Sequence, residues 1–157
     1  PVTGARGGVM RIAIGSDHGG FNLKAAVKDR LTALGHQVED MGVFSTDSAD
    51  YPFQAAAVAQ AVAQGRAERG VLVCGSGIGM CMTANRFAGI RAALAPTAEH
   101  ARLGRAHNNA NVLCLGERLT PADQALAILD VFLATDFDGG RHQRRIEAID
   151  QVAGPER

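Results

Sequence analysis

From Arg11 onward, short apolar runs alternate with stretches whose apolar positions recur at helical spacing. Arg11–Gly15 (RIAIG) predicts a strand, and Gln37–Met41 a weaker one. Between them, Phe21–Leu34 carries Leu23, Val27, Leu31 and Leu34 on one stripe, an amphipathic helix stopped by Gly35. Tyr51-Pro52 opens an alanine-rich helix that runs through about Gln64 and ends at Gly65. Val71-Leu72-Val73-Cys74 is apolar at consecutive positions, as a parallel strand buried on both faces requires. A glycine loop leads from it into a helix over about Ile78–Phe87. Ile90–Ala95 and Asn111–Leu115 predict strands, Thr97–Arg105 and Pro121–Ala134 helices, with Pro121 near the first turn of the last.

Strands alternating with helices about five times imply an α/β protein with a parallel sheet between helical layers. The end of the chain departs from that rhythm. Gly139-Gly140 precedes Arg141, Arg144 and Arg145, then Ile146, Ile149 and Val152 at helical spacing, which predicts a tail helix at about 141–152. Such a helix either folds back on its own domain or packs on another subunit. Residues 1–9 lack any such pattern and are expected to be a leader outside the fold, leaving residues 10–157 as one domain.

Composition narrows the class. The length of 157 residues suits a single domain, and 46% hydrophobic with 20% charged residues excludes a disordered chain. Sixteen Lys+Arg balance sixteen Asp+Glu, so no overall field recruits nucleic acid or an anionic membrane, and an anion site must be local. Three cysteines cannot close a disulfide framework, and no apolar run approaches the roughly 20 residues of a membrane helix. The expected localisation is cytoplasmic.

Ligands of open parallel sheets bind beyond the carboxyl ends of the strands. The first strand is followed there by Ser16-Asp17-His18-Gly19-Gly20, and the buried strand by Cys74-Gly75-Ser76-Gly77-Ile78-Gly79. The latter is neither a dinucleotide fingerprint, since Met80 takes the place of its last glycine, nor a P-loop. It is a tight turn feeding a helix N-terminus, whose free N–H groups suit a phosphate, a carboxylate or an oxyanion. Cys74, at the strand end beside that helix, is placed to work as a thiolate; Cys81 and Cys114 are expected in the core. His18 beside Asp17, and His107 in a polar His-Asn-Asn run, are candidate functional histidines, whereas His36 and His100 read as surface residues. Arg141 and Arg145, one helical turn apart, suit a shared phosphate. No zinc spacing is present.

Six ordered segments give these residues a context: Ser16–Phe21, Asp50–Pro52, Cys74–Gly79, Asn85–Arg91, His107–Asn111 and Gly139–His142. Together they resemble the type B ribose-5-phosphate isomerases and the related galactose-6-phosphate and allose-6-phosphate isomerases, over about Met10 to Ile149. The resemblance implies a Rossmann-like three-layer α/β/α fold with a five-stranded parallel sheet. It also implies a cofactor-free and metal-free aldose–ketose isomerase, a homodimer or homotetramer whose pockets are shared between subunits. Position by position, it implies Cys74 as proton-abstracting base, His107 as ring-opening acid–base group, and Ser76 with Gly75, Gly77, Ile78 and Gly79 around the enediolate oxygens. Asp17, His18, Tyr51, Asn108, Arg118, Arg141 and Arg145 correspond to substrate-binding positions, the last two at the phosphate. Ser76 stands where many members carry threonine, which keeps the hydroxyl.

The expected reaction interconverts ribose 5-phosphate and ribulose 5-phosphate through a cis-enediolate. An isomerase of another sugar phosphate (allose 6-phosphate, galactose 6-phosphate or a four-carbon sugar), or a non-catalytic sugar-phosphate-binding module, are the alternatives. Neither a nucleic acid nor a membrane is an expected partner.

Overall fold

A computed structural model describes residues 8–154. Of the expected leader, residues 1–7 lie outside the described residues, while Gly8 and Val9 are exposed. Five strands, β1 (Arg11–Ser16), β2 (Gln37–Asp40), β3 (Arg69–Cys74), β4 (Ala92–Leu94) and β5 (Val112–Gly116), form one parallel sheet in the order β2-β1-β3-β5-β4. The helices are α1 (Phe21–Ala33), α2 (Tyr51–Ala63), α3 (Ile78–Ala84), α4 (Ala98–Asn108), α5 (Ala122–Ala134) and α6 (Arg141–Ala153). A single 3-10 turn, His18–Gly20, joins β1 to α1.

Alternate side chains of the central strands feed two cores. Ile12, Ile14, Val71, Val73, Leu113 and Leu115 meet α1 and α5 on one face, with Ala101 of α4. Ala13, Leu72, Cys74, Val112 and Cys114 meet α2 and α3 on the other. The layers are close: a Cβ on Gly70 would lie 2.7 Å from Val58 Cγ1. The three-layer parallel architecture is therefore the one expected, and its central strands are buried over Gly70–Cys74 and Val112–Gly116 for the reason their sequences suggested.

Four expectations shift. The predicted Ile78–Phe87 helix stops at Ala84, because the Asn85 side chain pairs with β4 as a strand would: Oδ1 accepts from Ala92 N (2.8 Å) and Nδ2 donates to Ala92 O (3.0 Å). The strand predicted over Ile90–Ala95 shrinks to Ala92–Leu94 at the sheet edge. α4 runs past Arg105 to Asn108, capped by Asn109 in the left-handed conformation. On α1, Leu34 is an exposed cap residue, and Lys24 is buried instead, its Nζ donating to Asp40 Oδ1 (2.7 Å) and the Val43 carbonyl. That buried pair fastens the end of β2, and so the segment leading to Tyr51, against α1.

The tail helix folds back on its own chain. His142 and Ile146 of α6 are buried, whereas Ile149 and Val152 remain exposed and line an apolar groove of about 590 Å³ with Ile90, Ala92 and Gly104. Among the described residues no helix is long and apolar enough to cross a membrane.

Candidate active site

The sequence-predicted residues fall into two groups. The first gathers beyond the carboxyl ends of β1 and β3. Asp17, buried, caps the 3-10 turn by accepting from Gly20 N (3.1 Å). The turn touches the next loop, since a Cβ on Gly19 would lie 3.3 Å from both Asp17 Oδ1 and Gly75 N. His18 is exposed, and its Nδ1 is engaged with the backbone of Ala49, 3.1 Å from the N and 3.2 Å from the O. It thereby ties this turn to the segment before Asp50-Tyr51.

Cys74 ends β3, buried, and the Gly77 N–H donates to its sulfur (3.1 Å). That bond exists because Gly77 turns back with φ of 80°, a conformation glycine takes without strain. A Cβ at Gly77 would also lie 2.7 Å from Leu94 Cδ1. Ser76 Oγ accepts from Ile78 N (3.2 Å), which leaves its O–H free to donate elsewhere. The loop is pinned to the one after β5, where Glu117 N donates to Cys74 O (2.9 Å) and Arg118 N to Gly75 O (3.0 Å). The Arg118 guanidinium lies over Gly75, so close that a Cβ there would be 2.6 Å from Nη2. The Tyr51 ring lies equally close over Gly79, 2.5 Å from a Cβ. Asp17, the Cys74–Gly79 loop, Tyr51 and Arg118 thus form one cluster around a sulfur that receives an N–H, with a guanidinium against the residue that follows it. Ser16 Oγ, buried at the end of β1, has no hydrogen-bond partner among the described residues; the sequence offered no sign of it beyond its place beside Asp17.

The second group is elsewhere. His107, half-buried, and Asn108, exposed, occupy the last turn of α4, and Arg141 and Arg145, both exposed, the first turns of α6. The helix runs antiparallel to the strands, and Val112, just beyond its end, is the first residue of β5, whereas Cys74 pairs with Gly116, the last. Five residues of strand advance about 13 Å, so the two groups lie at opposite ends of the sheet within one chain. Buried Arg105 fixes this second end, with Nη1 donating to Asn109 Oδ1 (2.9 Å) and Ala110 O (2.7 Å), and Nε to Thr135 O (3.0 Å). Asp138 N donates to Ala106 O (2.9 Å) beside it.

His142, which the sequence reading left without a role, stacks on His107 with ring centroids 4.2 Å apart and planes 12° from parallel. Burial, then the charges of His107 and Arg141, hold its pKa below the ordinary histidine value. His107, Asp138 and His142 bring one ligand atom each within 4.8 Å of one another. Two near-parallel stacked rings do not aim their in-plane lone pairs at one point, as a tetrahedral zinc site with nitrogens about 2.0–2.1 Å away requires.

Two further readings change. Cys81 is half-buried rather than core, and its pKa is lowered to about 7 by a hydrogen bond from Cys114, whose own thiol is pushed far up by that bond and by burial. His36, expected at the surface, is partly buried; its Nδ1 accepts from Met10 N (3.1 Å), and burial lowers its pKa. His100 is exposed and paired with the cap residue Thr97.

Comparison with known proteins adds an independent line. The family model described as Ribose/Galactose Isomerase matches residues 12–149. Ribose-5-phosphate isomerase B of Escherichia coli (strain K12) is 44% identical over 144 residues, 92% of this chain and 97% of that protein. The crystal structure of a ribose 5-phosphate isomerase from Thermotoga maritima is 52% identical, with a TM-score of 0.89 over 91% of this chain and 99% of the other. The ribose-5-phosphate isomerase B of Mycoplasma genitalium, solved with bound ribulose-5-phosphate, is 41% identical, with a TM-score of 0.87 over 91% and 95% of the two chains.

Proposed function

Since the chain belongs to the ribose/galactose isomerase family, we propose that this isomerase interconverts ribose 5-phosphate and ribulose 5-phosphate in the cytoplasm, without a metal or cofactor, as a homodimer or larger homo-oligomer. The observation that carries the chemistry is the Gly77 N–H on the Cys74 sulfur, at the mouth of a glycine loop roofed by Tyr51 and Arg118.

The reaction moves one hydrogen between adjacent carbons. Its C2 proton, beside the C1 aldehyde, is weakly acidic, so a base must take it while charge builds on the two oxygens. Cys74 thiolate removes that proton, the cis-enediolate forms, the C2 hydroxyl proton passes to O1, and the same sulfur returns its proton to C1 to give the ketose. The Gly77 N–H donates to that sulfur, and the Arg118 guanidinium lies against the next residue, Gly75, on the substrate side of the loop. Because the Gly77 and Ile78 amides are turned to Cys74 and Ser76, the other amides of Gly75–Gly79 and the Ser76 hydroxyl hold the enediolate oxygens. Asp17, His18 and Tyr51 position the sugar.

Ribose 5-phosphate is mostly cyclic, so an acid–base group must first open the ring, the part assigned to His107, with Asn108 beside it and Arg141 and Arg145 on the phosphate. These four lie at the far end of the sheet from Cys74 in their own chain, which supports a site completed by a second copy. Exposed Phe53 and Met82 on α2 and α3, and Ile149 and Val152 on α6, supply apolar surface for that contact.

The test is a coupled assay of ribose 5-phosphate against allose 6-phosphate and galactose 6-phosphate, with chelator present. Ribose 5-phosphate is expected to turn over fastest, and Cys74→Ala to lose about 10²–10⁴-fold in kcat with its circular dichroism unchanged. Turnover of Cys74→Ala at the unmodified rate would remove the sulfur as the base.

A further inference from the structure

His107 projects from the last turn of a helix, half-exposed, where a side chain unsupported by packing samples several rotamers. A proton transfer to or from a sugar ring oxygen demands one of them. What packs on the imidazole is the ring of His142, face to face at 4.2 Å. His142 is itself held: it is buried, its backbone N–H donates to Gly139 O (3.1 Å), and Ile146, one turn on, is buried in the same contact of α6. Asp138, latched to Ala106, stands close to both rings.

The two imidazoles face each other at stacking distance, where the ring of one restricts the rotation of the other. The burial of His142, and the charges of Arg141 and Arg145 nearby, disfavour the proton on that ring, while His107 is the more open of the pair. We infer that His142 is a positioning residue for ring opening: its stacked ring holds the His107 imidazole in the orientation that meets the sugar's ring oxygen, and takes no part in the transfer between C2 and C1. The inference rests on the isomerase reading above and assigns the stacked pair to one step of it.

The two steps separate experimentally. Ribulose 5-phosphate, with its C5 oxygen esterified, has no hydroxyl placed to close a furanose, so exchange of its C1 proton with solvent deuterium needs the base step alone. His142→Ala should lose at least ten times more of its kcat from ribose 5-phosphate than of its exchange rate on ribulose 5-phosphate. His142→Phe, which keeps a flat stacked ring and no titrating nitrogen, should recover most of the forward kcat. The retained exchange reports that the variants are folded and assembled. Equal loss of both rates, no loss of either, or a Phe variant no better than Ala would overturn the positioning role. If the unmodified protein performs neither reaction, the isomerase reading falls first and the inference with it.

Discussion

Cys74 and Cys81 border the same apolar face, yet their surroundings ask different things of them. Cys74 is buried at a strand end with an amide on its sulfur. Cys81 is half-buried on α3, where the Cys114 thiol donates to it and brings its pKa down to about 7. A lowered value means the thiolate is present above that pH and lost below it. In a Cys74→Ala background, iodoacetamide should therefore label Cys81 with a rate that rises through about pH 7 and levels off above it. Cys114, fully buried and with its thiol pushed up, should stay unlabelled until the protein is unfolded. Mass spectrometry of the tryptic peptides reads both; a rate still climbing steeply above pH 8.5, where an ordinary cysteine titrates, would contradict the assignment. Cys74 was legible because strand end, glycine loop and helix start are consecutive in the chain. Cys81 was not, because its partner arrives from β5 and only the packing of α3 on the sheet brings the two together.

Helices and strands follow the apolar periodicity closely where a glycine or cap ends them, as α1 and α2 show. The misreadings cluster where a side chain imitates backbone. Asn85 pairs with Ala92 in place of a strand, and Arg105 closes three acceptors at the end of α4. Neither residue carries a periodic signal, and the partners of each lie in a different element or loop. Arg105 joins α4 to the α5–α6 connection and hence carries His107 and His142 in register. Arg105→Met keeps the aliphatic bulk and strands those oxygens, so a loss of about 2–4 kcal/mol is expected. In a domain of this size that lowers Tm by roughly 5–15 °C. Because the clamp is next to His107, kcat from ribose 5-phosphate should fall further than exchange at C1 of ribulose 5-phosphate. A melting curve superimposable on that of the unmodified protein would show that the three bonds add no net stability.

At the scale of the molecule, the sheet separates two groups that the proposed chemistry needs together. Cys74, its loop and Arg118 sit beyond the carboxyl ends of β1, β3 and β5, and His107, Arg141 and Arg145 beyond the opposite ends. The membership of both groups was readable from ordered motifs, but their separation was not, since it follows from α4 running antiparallel to the strands and from α6 folding back on it. On the proposed mechanism one copy supplies the proton acceptor of a pocket and another its ring opener and phosphate grip, which makes a sharp demand on mixed assemblies. Cys74→Ala and His107→Asn, each inactive toward ribose 5-phosphate when pure, should regain activity when co-refolded. A mixed pair of subunits holds one pocket with both substitutions and one with neither, so random association restores about a quarter of the unmodified activity. Size-exclusion chromatography with light scattering gives the assembly state in the same samples. A mixture that assembles normally and stays inactive would mean that each pocket is built from a single chain.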